Sequence, residues 1–128
     1  MASLTTTGGM QIAFDPASVV EVADHDDSTG EAVTCVYGVL PSLVHISETV
    51  AAFLARIGVA AKFCVLTRPN GFPVQVNGGS VSVVRAPLPD EYVAGVNSVV
   101  TVGGLAPQGF TETPAAAIAA INAHGGKL

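Results

Sequence analysis

The sequence predicts a mainly β chain with two short helices, an α+β protein. It reads as two tandem-repeated antiparallel β modules, each closed by a C-terminal helix, with pseudo-two-fold symmetry. Three observations carry this expectation. Short runs with period-2 alternation are separated by Gly, Pro, Asn and Asp. Two segments of helical period, "ETVAAFLARI" and "ETPAAAIAAI", each follow such a set of runs. The chain also resembles itself: Leu4-Thr5 falls on Leu66-Thr67, Gly9 on Gly71, "MQIAF" on "FPVQV", and "SVVEV" on "SVSVV". The expected modules are residues 1–58 and 59–128, packed as one compact unit, because a module of that size buries little apolar surface alone.

Each module reads in the same order. A first strand ends at Gly8-Gly9 or Asn70-Gly71. Asn-Gly suits a type I′ hairpin, in which both central residues take positive φ. A second alternating strand is broken at Asp15-Pro16 or Asn77-Gly78-Gly79, which predicts a bulge or bend. It resumes as "SVVEV" or "SVSVV". A polar loop, Ala23 to Glu31, or a Pro-rich one, Arg85 to Val96, comes next. A third strand, "AVTCVYG" or "NSVVTVGG", and a fourth, "SLVHIS" or "QGFTE", complete the sheet.

The helices have identifiable boundaries. Ser47 is expected to cap the first, with Glu48 at the positive end of its dipole. Val50, Phe53, Leu54 and Ile57 form one apolar stripe, and Gly58 supplies a left-handed stop. In the second, Thr113 is the expected cap and Pro114 the first helical residue. Ala117, Ile118 and Ile121 form the equivalent stripe, and Gly125-Gly126 end the regular structure.

Composition excludes some functions. Charged residues are 12% of the 128 and net charge is −5, against roughly 25% charged in an average soluble protein. Mean hydropathy is +0.54, yet no run of about 18 apolar residues occurs, so no membrane span is expected. Arg56, Lys62, Arg68, Arg85 and Lys127 are scattered, which disfavours nucleic acid as a ligand. So sparse an ionic coating predicts that part of the surface meets other subunits. Cys35 and Cys64 have no CxxC spacing; buried free thiols are expected, with a disulfide between them as the alternative. "MASLTTTGG" lacks a basic region followed by an apolar core, so it is not read as a signal peptide, and a cytoplasmic origin is expected.

The second module resembles the small flagellar FlbD-like family in "LTRPNGFPVQVNGGSVSVV", "NSVVTVGG" and "FTETPAAAIAAI". Thr67, Asn70, Gly71, Asn77, Gly103 and Glu112 hold the pattern positions. The resemblance implies a small β-rich fold and a non-enzymatic scaffold; a bacterial regulatory adaptor is the alternative function it implies.

No catalytic, cofactor-binding or metal-ligating residue is assigned. "DHDD", Asp24 to Asp27, lacks the spacing of a calcium loop and reads as a solvated acidic loop. His45 and His124 show no Ser, Cys or Asp partner in sequence and read as structural. "NGGS" has no following Lys and is a bend. Glu48 and Glu112 recur at helix starts, which explains both without general acid–base chemistry. The Pro-rich loop "RAPLPDEYVAG" is the distinctive insertion. Arg85, Leu88, Pro89 and Tyr92 are its candidate interface residues, combining a cation, apolar bulk and an aromatic ring. The expected function is a non-enzymatic structural protein making homotypic or other assembly contacts, such as a phage virion component or capsid-decorating protein located in the virion. A small-barrel protein-binding module in the cytoplasm is the alternative. No nucleic acid, membrane, cofactor or small-molecule substrate is expected as a partner.

Overall fold

The structure, a computed structural model, describes residues 2–128. It is mainly β with two helices and several antiparallel sheets. The chain divides into two compact units, Met1–Ala60 and Ala61–Leu128.

In the first unit, β1 (Ala2–Thr5) and β2 (Gln11–Phe14) form a hairpin with Leu4 opposite Ile12. A 3-10 turn, Pro16–Ser18, follows. Strands β3 (Glu21–Ala23), β4 (Thr34–Tyr37) and β5 (Val44–Ile46) then form an antiparallel meander. Ala23 lies opposite Cys35, and Cys35 opposite His45. Helix α1 (Val50–Ile57) closes the unit. Phe53, Leu54 and Ile57 of the expected stripe are buried, and the Phe53 ring lies 6.1 Å from that of Phe14.

The second unit repeats this order of elements. A hairpin of β6 (Phe63–Thr67) and β7 (Pro73–Asn77) places Leu66 opposite Val74. A 3-10 turn, Gly78–Ser80, leads to β8 (Val81–Arg85), β9 (Ser98–Val102) and β10 (Gln108–Phe110), with β9 central. Helix α2 (Pro114–Asn122) packs on β6, β8 and the 3-10 turn. Phe110, Ala117 and Ile121 are fully buried. Ser98, Val99, Val100 and Val102 of β9 are buried although they point alternately to both faces, which explains why this strand reads as a nearly continuous apolar run.

Two local expectations change, the hairpin turn type and the first helix cap, and a third becomes specific. The hairpins do not use type I′ turns. Gly9 and Gly71 take φ of 90°, but Asp90 is the only non-glycine at positive φ among the described residues, and Gly8 is not at positive φ. Arg68 N donates to Phe72 O at 2.9 Å and Gly71 N to Arg68 O at 2.8 Å; Thr6 N to Met10 O and Gly9 N to Thr6 O do the same at 2.8 and 2.9 Å. These are three-residue loops closed by a left-handed glycine. Pro69 holds φ negative at the first position of the second loop, and Thr7 occupies the same place in the first.

The breaks at Asp15 and Asn77, expected as a bulge or bend, are bends in the form of 3-10 turns. Asp15 Oδ1 accepts from Ala17 N at 2.9 Å and Asn77 Oδ1 from Gly79 N at 3.1 Å. Each side chain thereby captures an amide the strand ladder would have used. The first helix is capped by Thr49, whose hydroxyl accepts from Ala52 N at 3.2 Å, instead of Ser47. Thr113 and Pro114 stand as expected, with Thr113 Oγ1 accepting from Ala116 N at 3.2 Å. Glu48 lies outside the first turn and grips Arg56 through two bonds of 2.9 and 2.8 Å. Cys35 and Cys64 are buried free thiols, and burial raises the Cys64 pKa.

Candidate functional site

The connection between β8 and β9, residues 86–97, contains no regular element yet is heavily braced. Arg85 donates Nη1 to Glu91 Oε1 at 2.7 Å and Nη2 to Glu91 Oε2 at 2.6 Å. This two-pronged pair suits the planar guanidinium. Glu91 Oε1 also accepts from Leu88 N at 2.9 Å. The carboxyl pKa of Glu91 is pulled down to about 2, first by Arg85 and then by the Leu88 amide. Asp90, with φ 62°, turns the chain at the tip; Asp tolerates that conformation better than most residues. Tyr92 donates its hydroxyl to Pro107 O at 3.3 Å. Its ring lies over Gly109, where an added Cβ would stand 3.2 Å from Tyr92 Cδ1 and 2.9 Å from Val96 Cγ1. Glycine on β10 is therefore what lets the loop lie down. Asn97 closes it, its backbone N donating to Phe110 O at 2.9 Å.

The candidate interface residues divide by role. Arg85 and Tyr92 are half-buried and spend their polar atoms on internal partners. Leu88 and Pro89 are exposed at the tip. Val93, which sequence reasoning did not single out, is 69% exposed and Leu88 65%. The clamp thus holds two large apolar side chains in water. The visible signal for Val93 was its place in "DEYVAG", an apolar residue in a loop with no strand to face.

The equivalent connection in the first unit, between β3 and β4, does the opposite. It was expected to be a solvated acidic loop, but Asp26 is 5% exposed. Asp26 Oδ1 accepts from Ser28 N at 2.9 Å and Ser28 Oγ at 2.6 Å. Asp26 Oδ2 lies 2.8 Å from His45 Nε2 on β5. The Ser28 bonds, the larger cause, and His45 lower the Asp26 pKa. The chain closes around this carboxylate, with Asp26 N donating to Glu31 O at 2.9 Å and Gly30 N to Asp26 O at 2.7 Å.

His45 therefore has the partner that sequence reasoning did not find. Cys35 is the third member of the cluster. The ligand-type atoms of Asp26, Cys35 and His45 all lie within 4.8 Å of one another. Cys35 and His45 meet because they are direct cross-strand neighbours on β4 and β5, and neighbours across a ladder share a face. His124 Nδ1 donates to Ala120 O at 2.8 Å, one turn back in α2. A surface depression of about 430 Å³ includes Asp24, His25, Thr34 and Glu48 in its lining. Its charged groups are engaged: Asp24 with His25 at 2.9 Å and Glu48 with Arg56.

Comparison with known proteins adds no relative: the chain matches no protein family, no curated protein and no solved structure at a significant level. Among the described residues no helix is long and apolar enough to cross a membrane.

Proposed function

We propose that this chain is a non-enzymatic structural protein that assembles through homotypic contacts, as a component or surface decoration of a phage particle. One observation carries the reading: the braced 86–97 loop displays Leu88 and Val93 at 65% and 69% exposure. A flexible loop could fold such side chains away. A loop clamped by Arg85–Glu91 and Tyr92 keeps them presented, and preorganised apolar anchors bind with less ordering cost. The low charge content supports the same reading, since few solvated groups must be stripped when copies meet. Nucleic acid is a poor partner, because Arg56 and Arg85 are held by carboxylates and Arg68 is 5% exposed.

Tandem duplication is part of this proposal. The recurring element order, the matched glycines at φ 90°, and the Thr49 and Thr113 caps at φ −68° and −66° support it. The FlbD-like adaptor is the second reading. Of its pattern residues, Asn77 caps a turn, Gly71 closes a hairpin, and Glu112 accepts from Thr67 N at 2.9 Å. These jobs belong to the scaffold and favour shared architecture over a shared partner.

Equilibrium sedimentation of wild type and the Leu88→Asp/Val93→Asp double variant tests the assembly reading. The wild type is expected to self-associate with rising concentration, and the variant to do so at least about tenfold more weakly, the effect of losing two apolar anchors. A wild type that stays monomeric at high concentration overturns it, as does unchanged association of the variant. The virion placement is read separately, by mass spectrometry of banded particles from the source culture.

A further inference from the structure

We propose that Asp26, Cys35 and His45 form a binding site for a thiophilic divalent transition metal of the zinc type. The three donors come from the β3–β4 connection, β4 and β5, all within the first unit. Their ligand-type atoms already converge within 4.8 Å of one another. In a tetrahedral zinc site, with metal–sulfur near 2.3 Å and metal–nitrogen and metal–oxygen near 2.0–2.2 Å, such atoms sit about 3.4–3.6 Å apart. The His45 Nε2 to Asp26 Oδ2 separation is 2.8 Å, so an ion entering between them opens that contact by well under 1 Å while drawing in the sulfur. Small rotations of three side chains accomplish this without moving the strands.

The surroundings have the form a metal site requires. Ser28 holds Asp26 Oδ1 through its amide and hydroxyl. That leaves Oδ2 facing His45, and outer bonds of this kind orient ligating carboxylates. The Cys35–His45 pair is fixed by the β4–β5 ladder. The His45 side chain is 29% exposed, which supplies an entry path. The donor set also chooses the ion. Thiolate and imidazole select zinc-like metals over calcium or magnesium, which take oxygen ligands.

A rival use of the same residues is nucleophilic catalysis, with His45 activating Cys35. That chemistry needs substrate at the sulfur, and Cys35 is 0% exposed. A metal needs only room for itself. With three protein ligands the fourth position goes to water, and the ion ties the β3–β4 connection to the sheet. This inference is independent of homotypic assembly.

The test uses the full chain, titrated with zinc chloride and, for spectroscopy, cobalt chloride under reducing conditions. One ion per chain is expected, displaced competitively between the two metals. Cobalt should give a thiolate charge-transfer band in the near ultraviolet. Cys64→Ala should keep that band. Cys35→Ser should lose it and bind zinc at least about tenfold more weakly, as should Asp26→Asn. Circular dichroism reports whether each variant folds. If Cys35→Ser does not fold, wild type and Cys64→Ala still decide. No stoichiometric uptake at micromolar zinc, a cobalt complex without the sulfur band, or a band lost in Cys64→Ala overturns the proposal.

Discussion

The β3–β4 and β8–β9 connections occupy the same place in their units, and each is organised around one carboxylate. They reach opposite ends. Asp26 folds inward, taking Ser28 and His45 as partners at 5% exposure. Glu91 stays at the surface, binds Arg85, and pushes Leu88 and Val93 outward. The difference lies in the partner. A hydroxyl two residues away lets a loop curl over its own acid, as Asx turns do. An arginine at the end of the preceding strand pins the acid back toward that strand and leaves the intervening apolar residues on the outside. The same order of elements thus carries a buried polar cluster in one unit and a displayed apolar tip in the other.

The largest expected effect breaks this contrast directly. Asp26→Ala removes the acceptor for Ser28 and the partner of His45 in a buried setting, where lost partners are expensive. Glu91→Ala removes an exposed pair, and exposed pairs contribute little. Urea unfolding should therefore show a clear fall in midpoint for Asp26→Ala and a small one for Glu91→Ala. The reverse order would mean that the outer clamp, rather than the inner cluster, anchors the fold.

A smaller effect sharpens the comparison through backbone geometry. Gly30 lies in the inner connection with φ 75°, Gly95 in the outer with φ 98°, and an added Cβ at either meets nothing within 4 Å. Steric room is not the issue, so Gly→Ala at either position costs only the left-handed conformation, about 1–2 kcal/mol. Equal shifts in unfolding midpoint are expected. A shift at Gly30 alone would show that the outer connection relaxes into another conformation at no cost.

The smallest effect is a pH response of the outer loop. Glu91 has a folded pKa of about 2, below the ordinary carboxylate value of 4.5. A depressed folded pKa means that the clamp's contribution is complete above the ordinary value and disappears as pH falls towards the folded one. Methyl NMR signals of Leu88 and Val93 report the folded state, so they should stay constant from neutral pH to about pH 4.5 and then change with a midpoint near the folded value of about 2. A change centred near pH 4.5 would mean that Arg85 does not hold Glu91 in solution.

Much of this fold could be read locally. Alternating strands, the Gly58 stop at φ 79° and the Thr113-Pro114 helix start depend on residues within one turn or one pleat. Where a nearby competitor existed, the reading slipped. Thr49 took the cap expected of Ser47, and the residue before each glycine pair or Asn-Gly, Thr7 or Pro69, joined the hairpin loop to make it three residues long. These competitors stand within two residues of the expected site. The polar cluster was of another kind. Asp26 and His45 are 19 residues apart, and nothing in "DHDD" or "LVHIS" names the other.

Chain chemistry by itself determined the element types, the Gly58 stop and the Thr113-Pro114 helix start, the sparse charge and the presence of Arg85, Leu88, Pro89 and Tyr92 in one Pro-rich loop. Periodicity, capping groups and fixed φ values act over a few residues, so sequence order is enough to express them. Only the tertiary structure decided that Cys35 would face His45, that Asp26 would be buried beside them, and that Val93 would join Leu88 in water. Strand register brings distant residues together, and register follows from how whole faces bury their apolar side chains, which no short stretch encodes.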